Sequence, residues 1–388
     1  MTSDRHLGYL LDLAEAAESG LTGADQQRWL DVLDGEVADL VAALRWSVGA
    51  GASPESGLRL VSTLWRFWYL RGHYAAGRTW LDAALSAAVD APDRERAKAL
   101  AAAGTFAYLQ CDYPTAVQRL DAALDSYRAL DDDAGTAAVL QSLGCVARER
   151  ADYATSRALH VRSRQLWQSA VRPEEVARSS NFLGFVAWLE GDWAPALEEC
   201  GHALDFFQST GDAEGCAWSL IVQGGVACYS GDHDAAGELL TESRRLSATT
   251  GYREGVAWSL DLLGVDALRS GRPLDARALL LDSLREHWEL GDRWRTASVL
   301  EGLADAGSRM EEPLDACRLL GAAQALRGRL GAPTPMVEAS AVAALSARLA
   351  ADVGDGRLAS ALAAGRRAPL EQVVSQVLTD GGPKGGTA

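Results

Sequence analysis

Lysine is almost missing from this chain: of 37 basic residues among 388, only Lys98 and Lys384 are lysines. Neither stands in a GxxxxGK[ST] phosphate loop, so the chain carries no P-loop nucleotide chemistry. Basic clusters are missing too, with 53 acidic residues against 37 basic ones and a net charge of -16. A protein that neutralises phosphates needs clustered cations, and no helix-turn-helix with a basic recognition helix is visible, so direct nucleic-acid binding is not expected. No apolar run reaches the ~20 residues of a membrane span, and Met1–Leu10 lacks a signal-peptide pattern. The expectation is a cytoplasmic protein without membrane contact.

Site motifs are equally scarce. The six histidines show no HExxH or HxH spacing, and the six cysteines form no CxxC pair and read as reduced core residues. There is no GxSxG elbow, and Asp131-Asp132-Asp133 lacks the twelve-residue pattern of a calcium loop, so it reads as a solvated turn. No cofactor and no metal are expected, and an enzyme has no positive support.

What is present is a repeat. Gly184 recurs as Gly104, Gly144, Gly224 and Gly264, one every 40 residues. Tyr74, Tyr113, Tyr153, Trp193, His233, Pro273 and Pro313 follow at intervals of 39 and then 40, and Gly211, Gly251, Gly291 and Gly331 punctuate the other half of each unit. Self-similarity at such a period marks a stacked-repeat architecture. Within one unit, apolar residues at three- and four-residue steps predict a helix over 174–190 and a second over 193–209. Gly191 suits the stop of the first and Asp192 the N-cap of the second. A pair this short cannot bury its own apolar faces, so each must stack on its neighbours.

Leu-Gly in the first helix, an aromatic after Gly-Asp and a small residue three positions on (Ala116, Ser156, Ala196, Ala236, Ala276, Ala316) resemble tetratricopeptide repeats, although the family's usual period is 34. Residues 28–47 (RWLDVLDGEVADLVAALRWS), 64–81 (LWRFWYLRGHYAAGRTWL) and 317–335 (CRLLGAAQALRGRLGAPTP) resemble the C-terminal sensor part of actinobacterial STAND-type transcriptional regulators, the LuxR-type and antibiotic-regulatory proteins and predicted ATPases. The ATPase and DNA-binding domains of such proteins have no counterpart here. The expected fold is all-α, a right-handed helical-hairpin solenoid of about seven pairs. Residues 1–52 are expected to form an N-terminal helical cap, 53–332 the repeat array, 333–380 a C-terminal helical cap and 381–388 a disordered tail.

At about 100° per residue, positions -6, -3, +1, +4 and +5 from the first-helix glycine share one arc. In tetratricopeptide repeats that arc lines the concave surface, so the resemblance selects Tyr108, Gln141, Arg148, Arg178, Asn181, Phe185, Trp188, Trp218, Tyr229, Trp258, Asp261 and Glu301 as a ligand-binding set. Trp188, Trp218, Tyr229 and Trp258 with Phe185 could form an aromatic floor. Covering three rings at ~150 Å² each would supply on the order of 10 kcal/mol before association costs. The alternative is that the helices curl tightly and these rings become core. Trp65, Phe67, Trp68 and Tyr69 are read as core between residues 28–48 and the first repeat, since four large residues in five cannot all face one way.

The leading functional expectation is a non-enzymatic sensor module whose groove binds a small molecule or peptide and relays occupancy to a partner or effector domain, in signal transduction or transcriptional regulation. The other is a scaffold that holds a protein partner in the same groove or on an acidic outer face.

Overall fold

A ladder of left-handed turn residues sets the architecture. Positive φ recurs every twenty residues at 111, 131, 151, 171, 191, 211, 231, 251, 271, 291, 311 and 331. Seven of these are glycine, but Cys111, Asp131, Ala151, Val171 and Glu311 adopt φ between 51° and 64° without one. Each such residue stops a helix of nearly fixed length, and up to Glu311 the next begins two residues on. Aspartates at 112, 132, 152, 212, 232 and 292 cap the following helices by accepting a backbone N–H three residues later. Each cap contributes about 1 kcal/mol.

The computed structural model describes residues 4–49 and 53–380; the expected tail at 381–388 and part of the turn around 49–54 lie outside them. Among the described residues there is helix and no strand. The chain opens with α1 (Asp4–Glu18), a 3-10 turn at Ser19–Leu21 and α2 (Gln26–Ser47). The first repeat is broken into α3 (Pro54–Thr63) and α4 (Trp65–Leu70), followed by α5 (Tyr74–Ala87). Six regular pairs come next: α6 (Asp93–Leu109) with α7 (Tyr113–Ala129), α8 (Asp133–Glu149) with α9 (Tyr153–Ser169), α10 (Pro173–Glu190) with α11 (Trp193–Thr210), α12 (Ala213–Ser230) with α13 (His233–Thr250), α14 (Arg253–Arg269) with α15 (Pro273–Leu290), and α16 (Arg293–Arg309) with α17 (Pro313–Leu330). The end is α18 (Met336–Val353), α19 (Asp355–Arg367) and α20 (Leu370–Asp380). The molecule is therefore an all-α helical-hairpin solenoid.

Within a pair the helices approach closely because the first-helix glycine leaves room. A Cβ on Gly184 would collide with Cys200 Sγ and come within 3.1 Å of the Ala196 carbonyl. All six cysteines are buried and unpaired.

The solenoid curls tightly enough for one superhelical turn to rest on the next. Tyr69 Oη lies 2.8 Å from Tyr252 Oη, the Trp294 amide donates to Cys111 Sγ at 3.2 Å, and the Met336 amide donates to Tyr153 Oη at 3.4 Å, each pair 183 residues apart. A turn thus takes roughly four and a half repeats. That curl converts part of the concave face into core. Residues at the start of α18 fill the C-terminal part of the axis: Glu338 accepts from Arg295 Nη1 at 2.7 Å and Ser298 Oγ at 2.8 Å.

Candidate functional site

The N-terminal part of the axis is open. It encloses a cavity of about 1040 Å³, at the upper end of the range for drug-sized ligands. Three first helices supply its wall at helical spacing: Lys98, Ala101, Thr105 and Tyr108 from α6; Ala138, Gln141, Cys145 and Arg148 from α8; Glu174, Arg178, Asn181 and Phe185 from α10. Steps of three and four keep each set on one stripe of its helix. The stacked turn above adds Glu214 and Trp218 of α12, Glu254 and Trp258 of α14, and Asp292 and Trp294 at the start of α16. Glu18, Thr22 and Trp65 close the other side.

Three polar clusters punctuate the aromatic wall. In the first, Arg178 donates to Asp212 Oδ2 at 2.6 Å and to Glu214 Oε2 at 3.2 Å, and Arg66 also pairs with Glu214. Asn181 belongs with it, donating to the Gly215 carbonyl at 3.2 Å and accepting from Ser219 Oγ at 2.8 Å.

In the second, Arg148 Nη2 donates to Tyr108 Oη at 2.8 Å and Glu149 Oε1 at 3.2 Å, and its guanidinium lies 4.4 Å from the Phe185 ring centroid. Tyr113 donates to the other Glu149 oxygen at 2.6 Å. Arg148 is 4% exposed, and its Nε has no hydrogen-bond partner among the described residues.

The third is built on Glu254. Its Oε2 accepts from Tyr252 Oη at 3.1 Å and Tyr74 Oη at 3.4 Å, while Tyr252 Oη in turn accepts from Trp218 Nε1 at 2.6 Å. No arginine, lysine or histidine forms an ion pair with Glu254 among the described residues. Burial pushes the Glu254 carboxyl up to about 7, helped by Asp292 and opposed by the nearby hydroxyls of Tyr69 and Tyr252 and the charge of Arg148. Burial likewise pushes Glu149 up to about 7 against the pull of Arg148. A carboxylate whose charge is this poorly compensated favours a cation brought to it.

Eight of the twelve sequence-selected residues line this cavity: Tyr108, Gln141, Arg148, Arg178, Asn181, Phe185, Trp218 and Trp258. Phe185 and Trp258 are only 2% exposed and offer it little more than an edge. Four do not line it. Trp188 is completely buried, sits 6.4 Å from Trp258, and leaves Gly225 no room for a side chain. Tyr229 packs between Trp188 and Trp193 under Arg269. Asp261 pairs with Arg295, and Glu301 holds Arg327 through both oxygens at 3.1 and 3.0 Å. The expected aromatic floor is thus a core in its C-terminal part, because the superhelix curls until successive inner faces meet.

The sequence reading missed several lining residues. Phe67 and Trp68 are core as expected, but Trp65 and Tyr69 line the cavity. Glu174, Glu214 and Glu254 also line it, and their 40-residue spacing was available in the sequence. Tyr74 belongs to the 40-residue series of turn residues, and Trp294 falls 40 residues after Glu254.

Comparison with known proteins agrees with this geometry. Residues 175–247 match the tetratricopeptide repeat family, so the chain contains a tetratricopeptide region. Among solved structures it is similar to that titled "Crystal Structure of Rap Protein Complexed with Competence and Sporulation Factor", with a TM-score of 0.57 and 12% identity over 92% of this chain and 100% of that one. At that identity the likeness is one of fold. No curated protein matches the chain. No helix among the described residues is long and apolar enough to cross a membrane, and no group of three or more His, Cys, Asp or Glu residues among them could hold a metal ion.

Proposed function

We propose that this protein is a non-enzymatic regulatory binding module that takes a small molecule or short peptide into the axis of its superhelix. The observation that carries the proposal is the 1040 Å³ aromatic-walled cavity enclosed between two superhelical turns. Apolar walls with a few fixed polar groups are what ligand sites present. The Rap protein of similar fold was solved complexed with competence and sporulation factor, which supports reading the axis as a place for ligands.

The relay follows from the position of the cavity. A ligand touching Tyr108 and Arg148 on one turn and Trp218 and Glu254 on the next acts on both at once. It shifts the superhelix toward whichever curvature it fits better, and only that difference in affinity does work on a partner. The resemblance to the sensor part of STAND-type regulators makes such an effector domain or partner protein the recipient. A scaffold that grips a folded protein in the groove is less well supported, because a cavity of about 1040 Å³ admits a small ligand or a short segment but not a globular surface.

Native mass spectrometry of the protein purified from its own source cells tests the proposal, with Thr105→Trp as the cavity-filling control. The expected result is a bound mass below about that of a short peptide, absent from the control. A protein that carries nothing and takes up no neutral apolar dye such as Nile red would overturn it.

A further inference from the structure

Nine carboxylates line the cavity against five cations. Each of the five already has a carboxylate: Arg66 and Arg178 share Glu214, Lys98 pairs with Glu18, Arg148 with Glu149 and Arg172 with Glu174. The surplus is therefore on the acidic side. One of its members is Glu254, set among Tyr69, Tyr74, Tyr252 and Trp218 with no ion-pair partner among the described residues. Only its Oε2 is hydrogen-bonded; its Oε1 has no partner among the described residues and is not among the atoms sealed from solvent.

The surroundings suit a positive charge in a second way. Trp65 and Trp218 line the same space and are partly exposed, whereas Trp258 and Trp294 are 2% exposed; indole faces attract ammonium and guanidinium groups. The protein already uses this attraction on its own cations, Arg148 lying 4.4 Å from the Phe185 centroid and Arg295 lying 4.4 Å from that of Trp258.

Resting on the binding function proposed above, we infer that the ligand is an organic cation, an ammonium or guanidinium carried on an apolar or aromatic body, whose charge docks on Glu254 and whose body packs on Trp65 and Trp218. An anionic ligand of the same shape meets uncompensated Glu254 and is rejected. Specificity here is by charge sign, and the repulsive element is built into the wall.

Fluorescence polarisation with three dyes tests this. Rhodamine 123 and fluorescein share a xanthene skeleton with opposite charge, and Nile red is neutral. The expected result is rhodamine 123 binding at least tenfold tighter than fluorescein, with Glu254→Gln removing most of that preference and leaving Nile red unaffected. Glu238→Gln, on an exposed position of α13 outside the cavity, should change nothing. A second measurement uses the wild type alone. Rhodamine affinity should rise several-fold between pH 5.5 and 8 as Glu254 deprotonates in a setting that also holds Tyr69, Tyr74, Tyr252, Asp292, Arg148, Glu149 and Glu214. Glu254→Gln should flatten that rise. Equal binding of the two charged dyes, preference for fluorescein, or a Glu254→Gln protein that keeps the wild-type preference would overturn the cation assignment. Nile red separates the two levels: if it binds while the charge preference fails, the cavity function stands and only the ligand class falls. If no dye enters, both fall.

Discussion

The same repeat position has two fates in this molecule. Three residues before the first-helix glycine, Ala101, Gln141 and Asn181 line the cavity, whereas Ile221, Asp261 and Glu301 are buried. Four residues after it, Tyr108 and Arg148 line the cavity, whereas Trp188 is wholly buried. Local sequence does not separate these cases, since helix, register and face are alike. What separates them is what lies across the axis. Opposite α6, α8 and the start of α10 there is space, bounded by the next superhelical turn. Opposite α14 and α16 lie the first residues of α18, with Glu338 bonded to Arg295 and Ser298. A repeat array can therefore carry a ligand site and a self-filled core on one continuous surface.

Breaking the filled half should have the largest effect. Arg295 is fully buried between Asp261 and Glu338, so Arg295→Ala leaves buried Asp261 without its cation and Glu338 with only Arg327, 3.7 Å away. A loss of about 3–5 kcal/mol is expected in chemical denaturation. A loss below 1 kcal/mol would mean that α18 is not what secures this half.

Paired tryptophans sharpen the contrast. Trp188→Ala should cost about 3–5 kcal/mol, as for a large buried side chain, and Trp218→Ala, partly exposed to the cavity, clearly less. Trp218→Ala should nonetheless weaken Nile red binding the more. Equal losses of stability would erase the distinction between the two halves.

The carboxylate in the open half gives a smaller, pH-dependent effect. Glu254 has its folded-state value raised from 4.5 to about 7, so the folded protein holds this proton more tightly than the unfolded chain does. The associated stability is present below pH 4.5 and is lost as pH rises through 7. Glu254→Gln should match the wild type near pH 5 and exceed it by about 1–3 kcal/mol at pH 8. An advantage that is the same at both pH values would show that Glu254 is not desolvated. Smallest of all, Gly201→Ala in α11, where an added Cβ meets nothing within 4 Å, should stabilise by about 0.5–1 kcal/mol, whereas Gly184→Ala should destabilise.

Much of the fold was legible because the 40-residue period is written in glycines and in the residues that follow each turn. The twenty-residue ladder beneath it was only half visible, since Cys111, Ala151 and Val171 take the left-handed turn without the residue type that announces it. The inner faces were legible as well, and most of the selected residues on α6, α8 and α10 do line the cavity. The boundary between open and filled axis was not. It depends on contacts between residues 183 apart, such as Tyr69 with Tyr252, and on where α18 begins, which no local spacing encodes. Glu254 was recoverable in principle from its echo at Glu174 and Glu214, but its isolation from any cation appears only once the turns are stacked.

Inserting the same large side chain into each half tests the central contrast most directly. Thr105→Trp points into the cavity, and Ser298→Trp falls on the hydroxyl that joins Glu338 to Arg327. Thermal unfolding should place Thr105→Trp within a few degrees of the wild type while it loses Nile red binding, and Ser298→Trp far below it or unfolded. If Thr105→Trp unfolds and Ser298→Trp is tolerated, the open and filled halves have been assigned the wrong way round.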